Sequence, residues 1–200
     1  GRGAMFVTSA ITSQVMKLRF KEIDSLSIGN VNAFRDWSHV SDIIDGYITL
    51  AEKGKHGQVY NQGSERTNSV ISFLLLSLES AGYEIKGIET LSGDKAVDEP
   101  LVMEDSMIFG TNFERTRIDD MMLRDELEFV LQDQGIIVQT NKGKIRVNFD
   151  ANRFRPAEVP ILLSDVGKIK AIGYRVKSNL RDIISHQLNY YLSGKDRRSA

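Results

Sequence analysis

The sequence predicts a mixed α/β fold, and two observations carry that expectation. Over the first ninety residues helical and strand-like hydropathy patterns alternate in the order α-β-α-β-α-β, the signature of an α/β unit with crossovers. Between residues 127 and 149 the apolar period then drops to two, as in a half-buried antiparallel sheet.

The elements are justified in chain order. Ile11, Val15, Leu18 and Ile23 fall at helical spacing and predict a helix over Thr8–Ile23. Leu26-Ser27-Ile28-Gly29-Asn30 is a short apolar run closed by a turn pair, which reads as a strand entering a loop. From Ser38, apolar residues at Val40, Ile43, Ile44, Tyr47, Ile48 and Ala51 mark a helix capped by Ser38 or Ser41 and stopped at Gly54. Gln58–Asn61 reads as a strand, Gly63–Asn68 as a polar loop, Ser69–Ala81 as a helix ended by Gly82, and Tyr83–Leu91 as a strand. After a polar linker over Gly93–Pro100, Arg117–Arg124 suits a short helix. Leu127–Leu131, Gly135–Thr140 and Ile145–Phe149 follow, separated by the turn sequences Asp133-Gln134-Gly135 and Asn141-Lys142-Gly143-Lys144. They predict a three-stranded antiparallel meander. Asp165–Ala171 and Leu180–Leu192 are predicted helices, the last capped by Ser178 or Asn179, and the tail from Lys195 is expected to fray. The expected organisation is an α/β part over 1–92, an insertion over 93–149 holding the short helix and the meander, a closing part over 150–194 and a tail over 195–200.

Composition narrows the function. At 200 residues the chain is long enough to bury about 70% of its unfolded surface. Lys+Arg 26 against Asp+Glu 27 leaves a net charge of −1 with no basic face, so no nucleic-acid partner is expected. Cysteine is absent, which excludes disulfides, Cys-ligated zinc, iron–sulfur clusters and thiol nucleophiles, and suits a cytoplasmic location. The apolar stretch Val70–Leu78, interrupted by Ser72 and Ser77, is far short of the roughly 20 residues of a membrane span, and no leader pattern opens the chain. No membrane partner is expected.

Two motifs stand out. Arg35-Asp36-Trp37 lies on a loop past a strand and just before a helix, where a guanidinium fork and backbone donors can face a phosphate; the alternative is an Arg–Asp surface pair beside a half-buried Trp. Arg153-Phe154-Arg155-Pro156-Ala157-Glu158 follows the last meander strand. One guanidinium there could hold phosphate and the carboxylate could hold hydroxyls, or the charges could simply be solvated. His39, His56 and His186 have no partners at ligand spacing, so no metal is expected. Asp42 and Asp45 read as a solvent face, and Asp119-Asp120 as ordinary polar positions. Gly-x-Ser-x-Gly, Gly-x-Gly-x-x-Gly and Gly-x-x-x-x-Gly-Lys are all missing, so no catalytic residue is assigned.

The order of these pieces carries a resemblance. Arg2-Gly3-Ala4-Met5-Phe6-Val7-Thr8, then Leu26–Asn30 running into Arg35-Asp36-Trp37-Ser38-His39-Val40, then Phe154–Val159 with Leu162-Leu163-Ser164-Asp165 behind it, resemble the C-terminal half of GDP-mannose 4,6-dehydratase, of the extended short-chain dehydrogenase/reductases. The resemblance covers residues 2 to about 90 and 147 to 192. It implies the substrate-binding half of a sugar-nucleotide dehydratase, in which Arg35 and Arg155 contact phosphate, Glu158 contacts the ribose, and Val7 and Thr8 line the base pocket. NADP is expected in a full-length relative, where it serves oxidation at C4, water loss across C5–C6 and re-reduction at C6; no cofactor is expected in this chain, which alone is expected to be inactive. Two departures stand out: Ser9-Ala10 replaces the family's Arg-Lys, and the segment from Leu91 to Arg146 is longer than the family's usual connection. The expected partners are a sugar nucleotide and either a second copy or a Rossmann half. Because Thr8–Ile23 and Leu26–Ile28 lie against that half in relatives, Ile11, Val15, Leu18, Leu26 and Ile28 are expected to be exposed here. The alternatives are an epimerase or reductase of another sugar nucleotide, or an interaction module built on Leu91–Phe149 with a vestigial sugar site.

Overall fold

The structure, a computed structural model, describes residues 6–105, 107–108, 110, 112–154 and 158–192. The expected tail over 195–200 lies outside them. Three helices dominate one layer: α1 (Val7–Arg19), α3 (Val70–Ser80) and α6 (Leu180–Leu192), which pack against one another. The other layer is a five-stranded sheet in the order β1-β9-β8-β4-β5, with β1 (Ser25–Ile28), β4 (Ile85–Thr90), β5 (Ala96–Asp98), β8 (Gly135–Thr140) and β9 (Gly143–Phe149). Only β1 and β9 run parallel; the other pairs are antiparallel. Residues 93–149 thus supply two strands between β1 and β4, and one core joins Ile11, Val15, Leu74, Ile88, Val138 and Val147. Mixed α/β architecture is what the sequence predicts. Among the described residues no helix is long and apolar enough to cross a membrane.

Helix ends follow local chemistry. Ser69 caps α3 by accepting from Ser72 N, Asn179 and Asp182 form a reciprocal cap at α6, and Thr116 with Asp119 forms a capping box on α4 (Arg117–Leu123). For α2 (Val40–Lys53) the cap is His39 rather than Ser38 or Ser41. α3 is apolar all round and correspondingly buried from Val70 to Leu78.

Several expectations are corrected. Ile11, Val15, Leu26 and Ile28 are buried, and Leu18 is packed partly against them, because α3 and α6 cover α1 within this chain. β1 does end the sheet, but the side-chain amide of Gln14 accepts from Ser27 N at 2.8 Å and donates to Ser27 O at 3.0 Å, standing in for a neighbouring strand. Leu127–Leu131 is not a strand: the amide of Asn32 occupies both backbone groups of Phe129 at 3.0 and 2.6 Å, and a 3-10 turn follows over Leu131–Asp133. The third strand beside the β8–β9 hairpin is therefore β4. Gly135, with φ 145°, opens β8 where any Cβ would run into the carbonyl oxygen of Val147.

Helix α2 is docked with its polarity reversed. Asp42, expected at the solvent face, is only 2% exposed and accepts from Ser178 N at 3.1 Å, while Val40, Ile44, Tyr47 and Ile48 face outward at 51–66% exposure. The surface beneath α2 is mixed and offers little apolar area: Leu50 packs on a small cluster of Val166, Ile169 and Tyr174, Gly46 closes on Gln62 and the Tyr174 ring, and Asp42 is held by Ser178 N. Gln58–Asn61, expected as a strand, has no ladder partner among the described residues, and Val59 is 81% exposed.

Candidate functional site

The loop after β1 is positioned by a glycine. A Cβ at Gly29 would sit 2.7 Å from the carbonyl oxygen of Arg153, so only glycine lets the 150–154 loop close over the end of β1. Asp150 N donates to Ile28 O at 2.8 Å and extends the parallel pairing into that loop. Chain beyond it returns as Glu158–Ile161 alongside β2 (Phe34–Arg35), where Phe34 N donates to Pro160 O at 2.7 Å and Leu162 N to Phe34 O at 3.1 Å. Two loops far apart in sequence are thereby laid side by side.

Arg35 and Glu158 meet there. Arg35 Nη2 lies 2.8 Å from Glu158 Oε1, with both side chains about one-fifth exposed. Nη1 donates to Phe34 O at 2.7 Å and to Val159 O at 2.8 Å, which fixes the plane of the guanidinium. Glu158 Oε2 accepts from Asn30 Nδ2 at 3.1 Å, and Asn30 Oδ1 accepts from Asn32 N at 2.9 Å. The site is a half-buried cation and carboxylate with fixed geometry, able to offer donors to an oxyanion and acceptors to hydroxyls.

The two residues after Arg35 anchor it elsewhere. Asp36 Oδ1 accepts from Ser64 N at 2.8 Å and Ser64 Oγ at 2.6 Å, and Oδ2 accepts from Ser164 N at 3.3 Å. Trp37 Nε1 donates to Asn68 O at 3.2 Å, and its ring lies 5.0 Å from that of Phe73. An Arg–Asp surface pair does not form: Arg35 and Asp36 each face a different segment. Beside Phe34 and Pro160 opens a cleft of about 260 Å³, walled on the far side by Met122, Leu127 and the exposed Asp125 and Glu128.

Of the other expected site residues, Thr8 is buried at the start of α1 and Val7 packs against the core. Thr8 O accepts from Thr12 Oγ1 at 2.9 Å, an intrahelical contact. Arg155, with Pro156 and Ala157, lies outside the described residues, as do Arg2–Met5. His39 and His186, unremarkable in sequence, approach to 2.7 Å between Nε2 and Nδ1, but among the described residues no three-ligand metal group forms. One Tyr-x-x-x-Lys spacing, missed by the motif reading, runs from Tyr191 to Lys195. The Tyr191 hydroxyl is turned to Ser9 O at 3.4 Å, and Lys195 lies outside the described residues. Among the described residues no glycine-rich turn joins a strand to a helix N-terminus, so these elements offer no cradle for a dinucleotide pyrophosphate.

Comparison with known proteins gives a consistent outcome. The family profile described as GDP-mannose 4,6 dehydratase matches residues 1–130. A GDP-mannose 4,6-dehydratase of Sinorhizobium fredii is 25% identical over 193 residues, covering 96% of this chain and 43% of that protein. One of Yersinia enterocolitica is 29% identical over 170 residues, covering 84% of this chain and 37% of its own length. Among solved structures, RMD from Pseudomonas aeruginosa, complexed with NADPH, superposes with a TM-score of 0.59 at 14% identity over 94% of this chain and 43% of that one. The chain thus spans about two-fifths of the length of these relatives.

Proposed function

The chain belongs to the GDP-mannose 4,6-dehydratase family, and from that premise we propose that it is the sugar-nucleotide-binding portion of such an enzyme. Arg35 takes the diphosphate, assisted by Arg155, and Glu158 takes the ribose hydroxyls. Val7 and Thr8 border the base side. The observation that carries this reading is the convergence of Arg35 and Glu158, which supplies a fixed cation and a carboxylate 2.8 Å apart. A sugar nucleotide needs that pair of functions, since its diphosphate accepts hydrogen bonds and its ribose donates them.

Hydride chemistry is assigned to NADP on the nucleotide-binding half of the family fold, supplied by the same or another polypeptide. That half, in this reading, covers the outward apolar face of α2 and the unpaired segment around Val59. A second copy is the competing occupant. The protein is placed in the cytoplasm, as the absence of cysteine suits. Calorimetry with GDP-mannose, dTDP-glucose and UDP-glucose tests the assignment: selective binding of GDP-mannose supports it, preference for another base moves it to an epimerase or reductase, and binding of none returns the chain to an interaction module.

A further inference from the structure

We propose that Glu158 is a specificity gate on Arg35, which makes the site select nucleoside diphosphates over bare diphosphates. This rests on the assignment of the diphosphate to Arg35. Arg35 cannot swing aside to meet an anion, because both Nη1 hydrogens are committed to the carbonyls of Phe34 and Val159. Its charge is already neutralised by Glu158, half-buried with it at 2.8 Å. Asn30 holds the second carboxylate oxygen at 3.1 Å, so the carboxylate is also positioned from behind.

An incoming oxyanion therefore meets a cation that already has its partner. Inorganic pyrophosphate must either displace Glu158 Oε1 or share the guanidinium with it. The first outcome strands a partly desolvated carboxylate, and the second crowds two anions on one cation. A nucleoside diphosphate brings its own compensation, since ribose hydroxyls donate to the carboxylate while the diphosphate takes the guanidinium. Both members of the ion pair exchange partners in one event, and neither is left unpaired. Discrimination arises from the penalty imposed on the wrong ligand as much as from contacts to the right one.

The test is the affinity of the full chain for pyrophosphate and for GDP, measured by calorimetry on the unsubstituted protein, Glu158→Gln, Glu158→Asp and Arg35→Ala. In Glu158→Gln pyrophosphate is expected to bind about three- to tenfold more tightly and GDP about tenfold more weakly. A residue that merely supports the fold would move both ligands the same way. Glu158→Asp keeps the charge and should hold the GDP-to-pyrophosphate ratio nearer the unsubstituted value; it also carries the comparison if the glutamine variant loses its far-ultraviolet circular dichroism. Parallel shifts, or no shift, for the two ligands overturn the gate. Failure of the underlying reading looks different: Arg35→Ala then binds GDP as the unsubstituted chain does. Absence of binding of either ligand to the unsubstituted chain overturns both.

Discussion

Arg35 and Glu158 lie 123 residues apart in sequence and are joined by a 2.8 Å charge-assisted hydrogen bond. Nothing local dictates that contact. It depends on Gly29 admitting the 150–154 loop over β1 and on Phe34 pairing with Pro160.

Removing the guanidinium tests the anion site directly. A charge-assisted hydrogen bond is worth about 1.5–3 kcal/mol, so Arg35→Ala should weaken GDP-mannose binding by roughly one to two factors of ten. The same loss is expected for Arg155→Ala. The thermal midpoint of Arg35→Ala should fall somewhat, since Val159 O and the Glu158 carboxylate lose the guanidinium, so affinities are compared well below the midpoint of each variant. Unchanged affinity in both variants would assign these arginines to the solvated surface.

Turnover gives an independent measurement. Because no dinucleotide cradle occurs among the described residues, these 200 residues alone should neither bind NADP nor convert GDP-mannose. Fluorescence titration with NADPH and product analysis check this. Formation of the 4-keto-6-deoxy sugar by the pure chain would sink it.

The outward face of α2 should drive association. Tyr47 is 64% exposed and Ile48 52%, one helical turn from Ile44 at 51%. Contiguous apolar surface of this kind is associative. Tyr47→Glu with Ile48→Glu should lower the weight-average mass seen by light scattering at high concentration, and an unchanged mass distribution would show that α2 is not the contact.

What was legible in the sequence was local. The ends of α3 and α6 are set by Ser69, Gly82 and Asn179, whose caps act within three residues, and they fall where the pattern places them. The pleated period of β8 and β9 was equally readable. Two-residue strands such as β2 and β3 (Asn68–Ser69) were not, because they exist only through pairing across the chain. Periodicity located the amphipathic stripe of α2 but not the side it shows to the protein, since the inner side is set by Asp42 at Ser178 N, Gly46 against Gln62 and Leu50 on the small Val166, Ile169 and Tyr174 cluster. Asp119 likewise reads as a polar helix position and is fully buried. For the site itself, the residues alone left Arg35 and Glu158 open between ligand contact and solvated surface, and the resemblance to a family pattern is what favoured ligand contact.

Asp119 should be the most sensitive polar position. Its carboxylate accepts from Ser69 N at 2.8 Å and Asn68 Nδ2 at 3.0 Å, and closes the capping box with Thr116, fastening α4 to the start of α3. Asp119→Ala leaves buried donors unpaired and should cost about 2–4 kcal/mol, read as a lower urea midpoint at unchanged slope. Asp119→Asn keeps the shape and should cost less.

Tyr174 should make the fold sensitive to alkali. The phenol is 1% exposed, donates to Gly63 O at 3.0 Å, and has its pKa pushed from 10.0 up to about 12, chiefly by burial and then by the charges of Asp42, Asp36 and Glu65, with Arg66 opposing. The folded state therefore holds the proton more tightly than the unfolded one. Stability from this linkage is fully present below pH 10 and is lost as pH rises through 12, a total of about 2–3 kcal/mol. Tyr174→Phe forfeits the hydrogen bond to Gly63, at about 1 kcal/mol near neutrality, but removes the titrating group. Urea unfolding of both proteins between pH 9 and 12 should give curves that converge, cross at about pH 11 and leave Tyr174→Phe the more stable by about 1 kcal/mol at pH 12, since lysines and the other tyrosines titrate in both and cancel in the difference. Parallel curves over that range would mean that the Tyr174 phenol ionises as readily in the folded protein as in the unfolded chain.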